Sequence, residues 1–117
     1  QAWLLKLNSE GLEEWNRTIN DGDNSHGNSL QQTSDGGYIV AGSAGSGARS
    51  ILIKTNSIGD EEWMHAPGGG SQTWLNSVQQ TTDGGYIASG STRSFSFGQR
   101  DAYLVKTDPE GNTISIE

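Results

Sequence analysis

Asn28-Ser29-Leu30-Gln31-Gln32-Thr33-Ser34-Asp35-Gly36-Gly37-Tyr38-Ile39 returns as Asn76-Ser77-Val78-Gln79-Gln80-Thr81-Thr82-Asp83-Gly84-Gly85-Tyr86-Ile87, 48 residues on (76 − 28). Working outward, Leu4-Leu5-Lys6 recurs as Leu52-Ile53-Lys54 and again as Leu104-Val105-Lys106. Glu13-Glu14-Trp15 recurs as Glu61-Glu62-Trp63. A self-similar period near fifty residues marks a solenoid, a propeller or an array, and it outranks any local motif.

Each repeat reads as four short extended segments separated by turn residues. Ala2 to Leu7, Ser50 to Thr55 and Ala102 to Thr107 are near-continuous apolar runs, the pattern of strands buried on both faces. Each ends in a turn with its former first and Gly last: Asn8 to Gly11, Asn56 to Gly59, Asp108 to Gly111. Glu13 to Ile19 and Glu61 to His65 each carry one Trp on a mostly polar ribbon, as outer strands with a single anchor do. Ser29 to Thr33 alternates in polarity, Tyr38 to Ala41 is apolar, and Asp-Gly-Gly links them as a tight hairpin. No window of ten or more residues has helical periodicity. The expectation is an all-β chain of β-propeller blades, about two and a half four-stranded antiparallel repeats of ~48 residues. The units are divided at 1–27 (a hairpin and connecting loop), 28–75 and 76–117 (blade repeats, the last ending in a hairpin). A sandwich of two similar sheets is the competing architecture, and constant spacing of Gln-Gln-Thr-x-Asp-Gly-Gly-Tyr-Ile weighs against it.

Gln31 to Gly42, followed by Ile53 to Trp63, resembles a repeat family of secreted bacterial and archaeal proteins with the pattern "QQTSDGGYIVAG … DAWLVKTD". Asp101-Ala102-Tyr103-Leu104-Val105-Lys106-Thr107-Asp108 matches it closely, and the resemblance covers nearly the whole chain. It implies a β-propeller in an extracellular or cell-surface setting, often within a longer multi-repeat chain. It carries over no shared catalytic residues. Loops at Asn20 to Gly27, Pro67 to Thr73 and Ser91 to Gln99 depart from the pattern.

Composition narrows the function classes. Only 31% of residues are hydrophobic and 17 of 117 are Gly, so each repeat must share its core with neighbours. The net charge of −7 argues against a nucleic-acid partner. With no cysteine there are no disulfides, thiolate metal sites or cysteine nucleophile. No apolar run approaches the roughly 20 residues of a membrane span, so membrane insertion is not expected. The start at Gln1 reads as processed, trimmed or cut from something larger. Asn16-Arg17-Thr18 is the one N-glycosylation triplet.

Candidate ligand-binding residues fall on the divergent connections, where a rigid scaffold tends to carry function. Trp74 occupies the position of His26 in the preceding repeat, and Arg93, Phe95 and Phe97 lie in the longest divergent stretch. Together they offer rings for stacking on a sugar and polar groups to orient it. Asp21 and Asp23 have a spacing that suits Ca²⁺, without the downstream Glu of an EF-hand, so a solvated turn competes; no other cofactor is expected. Asp35 and Asp83 recur because an Asp at the start of a hairpin turn accepts its backbone N–H groups. Gln31, Gln32, Gln79 and Gln80 face a neighbouring blade or central channel. The Glu13-Glu14 and Glu61-Glu62 pairs read as solvated, edge-protecting charge. No carboxylate pair, triad elbow or phosphate loop supports catalysis, and no enzyme is expected.

Ten strands do not close a ring of four to eight blades. The expected partners are therefore copies of the same chain or further blades of a longer one, with glycans as a further ligand class. The expected function is a non-enzymatic extracellular scaffold for binding or assembly. The alternative is a carbohydrate-binding lectin with sites on the long-loop face.

Overall fold

The computed structural model describes residues 2–19, 25–45, 49–67, 72–92 and 101–116. They form ten strands: β1 (Ala2–Leu7), β2 (Glu13–Ile19), β3 (Ser25–Gln32), β4 (Tyr38–Ala44), β5 (Arg49–Thr55), β6 (Glu61–His65), β7 (Thr73–Gln80), β8 (Tyr86–Thr92), β9 (Asp101–Thr107) and β10 (Thr113–Ile116). All pairing is antiparallel and follows chain order. β1 and β2 make the first sheet, β3 to β6 the second, and β7 to β10 the third. No helix occurs among the described residues, so the chain is all-β, and the described sheets do not close into a ring.

Packing in series follows from the strand period of two. In β5, Ile51, Leu52 and Ile53 are all buried, but they point alternately to opposite faces. Leu52 joins Ile39 and Ala41 against Leu75, Val78, Tyr86 and Val105 of the third sheet. Ile51 and Ile53 join Val40 and Ala44 against Leu4 and Ile19 of the first sheet. The central sheet is thus buried on both faces, which is why β5 reads as an unbroken apolar run. Burying each such side chain contributes about 1.5–3 kcal/mol.

The turns are chemically repetitive. Asn8, Asn56 and Asp108 each use a side-chain oxygen to accept two backbone N–H groups, from residues two and four further on, at 2.8–3.0 Å. Gly59 closes its turn at φ 86°, and a Cβ there would also strike the ring of Trp15. Asp35 accepts the Gly37 N–H at 2.9 Å, and Asp83 does the same for Gly85. These carboxylates belong to turns, as their recurrence suggests. Gly36 lies beside Ser57, so the two kinds of short turn gather at one end of the sheet.

The strands at the opposite end run further than sequence patterning indicates. β3 starts at Ser25 and β4 continues to Ala44, through stretches that read as long connections. Their pairing continues past a register shift between Gly27 and Ser29. Gly42 permits it: a Cβ there would sit 1.8 Å from the carbonyl oxygen of His26. β7 and β8 repeat this arrangement through Gly90 and Trp74. The second and third sheets accordingly begin at Ser25 and Thr73, slightly ahead of the repeat divisions at 28 and 76.

Candidate functional site

His26 and Trp74 lie on strands, paired with Ser43 and Ser91, and not on the loops that their polar surroundings suggested. His26 is exposed on β3, and Trp74 is half-buried at the matching place on β7. Asp21, Asp23, Arg93, Phe95 and Phe97 lie outside the described residues. Among the described residues, no group of three or more His, Asp or Glu side chains is placed to hold a metal ion.

The most organised polar cluster is one that sequence reading left incomplete. Lys54, buried in β5, directs its Nζ to Asp35 Oδ2 at 3.0 Å, Glu62 Oε1 at 3.1 Å and the Thr55 carbonyl at 2.7 Å. Lys106 repeats the contact with Asp83 Oδ2 at 3.2 Å and with the Thr107 carbonyl at 2.8 Å. Glu62 and Glu14 are therefore ion-paired, to Lys54 and Lys6, and not merely solvated edge charge. The signal was the lysine that recurs inside three otherwise apolar strands, which the sequence shows without its partners. Hydrogen bonds from the Thr33 hydroxyl and the Gly37 N–H, with a further contribution from Lys54, lower the Asp35 pKa to about 2 against the opposing effect of burial. Thr81, Gly85 and Lys106 hold Asp83 at about 2 in the same way. Burial opposes the charge on Lys54, but hydrogen bonds to Asp35 and Glu62 outweigh it and raise its pKa. Groups locked in their charged forms are poorly matched to proton transfer near neutral pH. Their chemistry is that of structural ties.

A second recurring feature is the joint between sheets. Trp15 on β2 meets Tyr38 of the second sheet edge-on, with ring centroids 5.7 Å apart. Trp63 on β6 meets Tyr86 of the third sheet at 5.9 Å in the same manner. Each indole also covers a turn glycine of the following unit, Gly59 for Trp15 and Gly111 for Trp63. Arg17 to Asp60 (3.2 Å) and His65 to the Glu110 carbonyl (3.1 Å) tie the same turns.

At the inner seam, where β3 faces β7, side chains substitute for a missing strand. Gln31 Oε1 accepts the Gln80 N–H at 2.6 Å, and Ser29 Oγ accepts the Val78 N–H at 3.3 Å. Asn28 Nδ2 donates to the Leu75 carbonyl at 3.0 Å, and Gln80 Oε1 accepts the Ser34 N–H at 2.8 Å. Gln31 and Gln80 therefore face the neighbouring sheet and satisfy its backbone groups, whereas Gln32 turns to the carbonyl of Gly36 in its own hairpin. Their counterparts Asn76, Ser77 and Gln79 stand exposed.

Both ends of the series are open. Among the described residues β1 pairs only with β2, whereas its counterparts β5 and β9 are flanked on both sides. Trp3, Leu4, Leu30 and Val40 line a groove beside the free edge of β1. At the other end, Leu104 lies exposed in the place where Leu52 is fully buried. No family model and no curated protein matches the chain.

Proposed function

We propose that the chain is a non-enzymatic β-propeller repeat module, extracellular or surface-attached, that works as a scaffold for binding or assembly. The observation that carries this reading is the joint between sheets, made twice by residues one repeat apart: Trp15 with Tyr38 and Gly59, then Trp63 with Tyr86 and Gly111. A sheet that packs on its successor by a reiterated set of contacts is the unit of a series, and each unit relies on neighbours to cover its faces. In this reading β3–β6 and β7–β10 are two blades, and β1–β2 are the outer half of a third. The secreted setting rests on the resemblance of the repeat sequence, and the scaffold role on the reiterated joints and the locked charge state of Asp35, Asp83 and Lys54.

Light scattering on the 12.5 kDa chain tests it. A discrete species at a small multiple of that mass, populated as concentration rises, is the expected result. A strictly monomeric chain at every concentration would overturn self-assembly.

A further inference from the structure

β2 departs from the repeat in a way that creates a chemical acceptor. β2 and β6 both open on Glu-Glu-Trp, but Asn16 and Thr18 stand where the next repeat has Met64 and Ala66. With Arg17 between them they complete Asn-x-Ser/Thr, the triplet at which an oligosaccharide is joined to an Asn side-chain nitrogen. None of the other asparagines has Ser or Thr two residues on. Glu14 lies two residues before Asn16, and neither Trp15 nor Arg17 is a proline. Glu14-Trp15-Asn16-Arg17-Thr18 therefore also meets the stricter pattern of bacterial oligosaccharyl transfer, which requires an acidic residue at that place.

The fold presents the acceptor and anchors what lies between. Glu14, Asn16 and Thr18 are exposed, Trp15 and Arg17 are half-buried, and Ile19 is buried. Successive side chains of a strand point to opposite faces. Trp15 packs on Tyr38 and Arg17 reaches Asp60, so the residues that hold β2 in place face the second sheet. Asn16 and Thr18 share the other face, with Asn16 opposite Leu5 and Thr18 opposite Trp3. β2 is an outer strand by chain order, as β6 is in the second sheet, and among the described residues each pairs on one side alone. Met64, in the place of Asn16, stays half-exposed although the first sheet packs on that side of β6. A residue at this position is therefore reachable with or without a neighbouring sheet. Asn16 Nδ2 donates to Glu13 Oε2 at 2.8 Å. A side-chain amide has two N–H groups, so replacing one hydrogen with a sugar leaves the other for Glu13.

We propose that Asn16 is an N-glycan acceptor. Its Nδ2 bonds to the C1 carbon of an oligosaccharide carried on a polyprenyl diphosphate. The bond from C1 to the phosphate oxygen breaks, the lipid diphosphate leaves, and one amide proton passes to a base of the transferase. The glycan adds solvated bulk beside an open strand edge, which the Glu13-Glu14 pair guards with charge. The inference rests on the extracellular part of the reading above and names a modification of that setting.

The test incubates the purified, folded chain with a bacterial oligosaccharyltransferase and a polyprenyl-diphosphate-linked heptasaccharide, and reads intact mass and tryptic peptides. The expected result is one added glycan, carried on the peptide of residues 7–17. Asn16→Gln, Thr18→Ala and Glu14→Gln should each abolish it, and Thr18→Ser should keep it. The glycosylated chain should retain the urea midpoint of the bare one, because the modified side chain is exposed. A chain that stays at its bare mass overturns the proposal, as does a glycan on any other Asn or a fall in the urea midpoint on modification. A chain that takes the glycan but stays monomeric at every concentration keeps this site and loses self-assembly; one that assembles but takes no glycan does the reverse.

Discussion

The cluster around Lys54 makes a quantitative prediction, because its three charged members differ in how much solvent they see. The Lys54 side chain is 4% exposed, whereas Asp35 and Glu62 are 59% and 45% exposed. Removing one carboxylate leaves the ammonium with the other and with the Thr55 carbonyl. Solvent screening of such half-exposed partners limits each single loss, so Asp35→Asn and Glu62→Gln should cost about 1 kcal/mol apiece. An Asn at position 35 still accepts the Gly37 N–H, which keeps the turn intact. The double variant is different in kind, since it strands a buried cation, and stranding a charge costs about 3–5 kcal/mol. The excess over additivity should therefore be about 1–3 kcal/mol. Adding Lys54→Met to the double variant removes the stranded charge while filling the same volume, and should return stability to within about 1 kcal/mol of the parent. Urea unfolding followed by far-ultraviolet circular dichroism at neutral pH reads all four variants. Additive costs in the double variant, or a triple variant no more stable than the double, would refute the reasoning.

The inner seam predicts an asymmetry between two glutamines with the same local sequence. Gln31→Ala should cost about 1–2 kcal/mol by leaving the Gln80 N–H without its acceptor, whereas Gln79→Ala, at the exposed counterpart, should leave the urea midpoint unchanged. Stability should fall as pH drops from about 4 toward 2: Asp35 and Asp83 have pKa values lowered to about 2 in the fold, so their contribution is present above the ordinary carboxylate value and is lost on protonation. Thermal melts across that range should flatten in an Asp35→Asn, Asp83→Asn variant. At the alkaline end the sign reverses, because the raised pKa of Lys54 gives a contribution present below the ordinary lysine value and lost as pH rises through the folded one.

Much of this was legible in the sequence, for a physical reason. Hairpin turns and strand alternation are local, so Asp35-Gly36-Gly37, Asn56 to Gly59 and the apolar run of β5 announce themselves within a few residues. Trp15 and Trp63 were readable as single anchors on outer strands, but not as partners of Tyr38 and Tyr86, since that contact depends on how one sheet is set against the next. The strand ends were underestimated for a related reason. Ser25, His26 and Gly27 have no apolar alternation; β3 extends through them because Gly42 lets two backbones approach. Lys54 and Lys106 were visible as recurring residues, but their ion pairs were not, because their partners come from different turns and strands. Of the candidate ligand residues, His26 and Trp74 moved from loops to strands, and their polar neighbourhood in sequence gave no hint of that pairing.

The two open ends of the series are not chemically equivalent, and the third repeat shows why. By register, Ser115 stands opposite Lys106 as Trp63 stands opposite Lys54, so the indole that latches one sheet to the next is absent from β10. Ile114 takes the place of Glu62, and Lys106 is left 24% exposed with one carboxylate where Lys54 has two. Ser89 replaces Ala41 on the same face. A sheet docking there would forgo the aromatic latch and the second ion pair, and would cover a more polar surface. Among the described residues, the β1 end retains its apolar residues and a strand edge with no partner. On the scaffold reading, the β1 end is therefore the better docking surface of the two, and a head-to-tail contact between copies, which needs both ends, would lack the aromatic latch that joins the sheets within the chain.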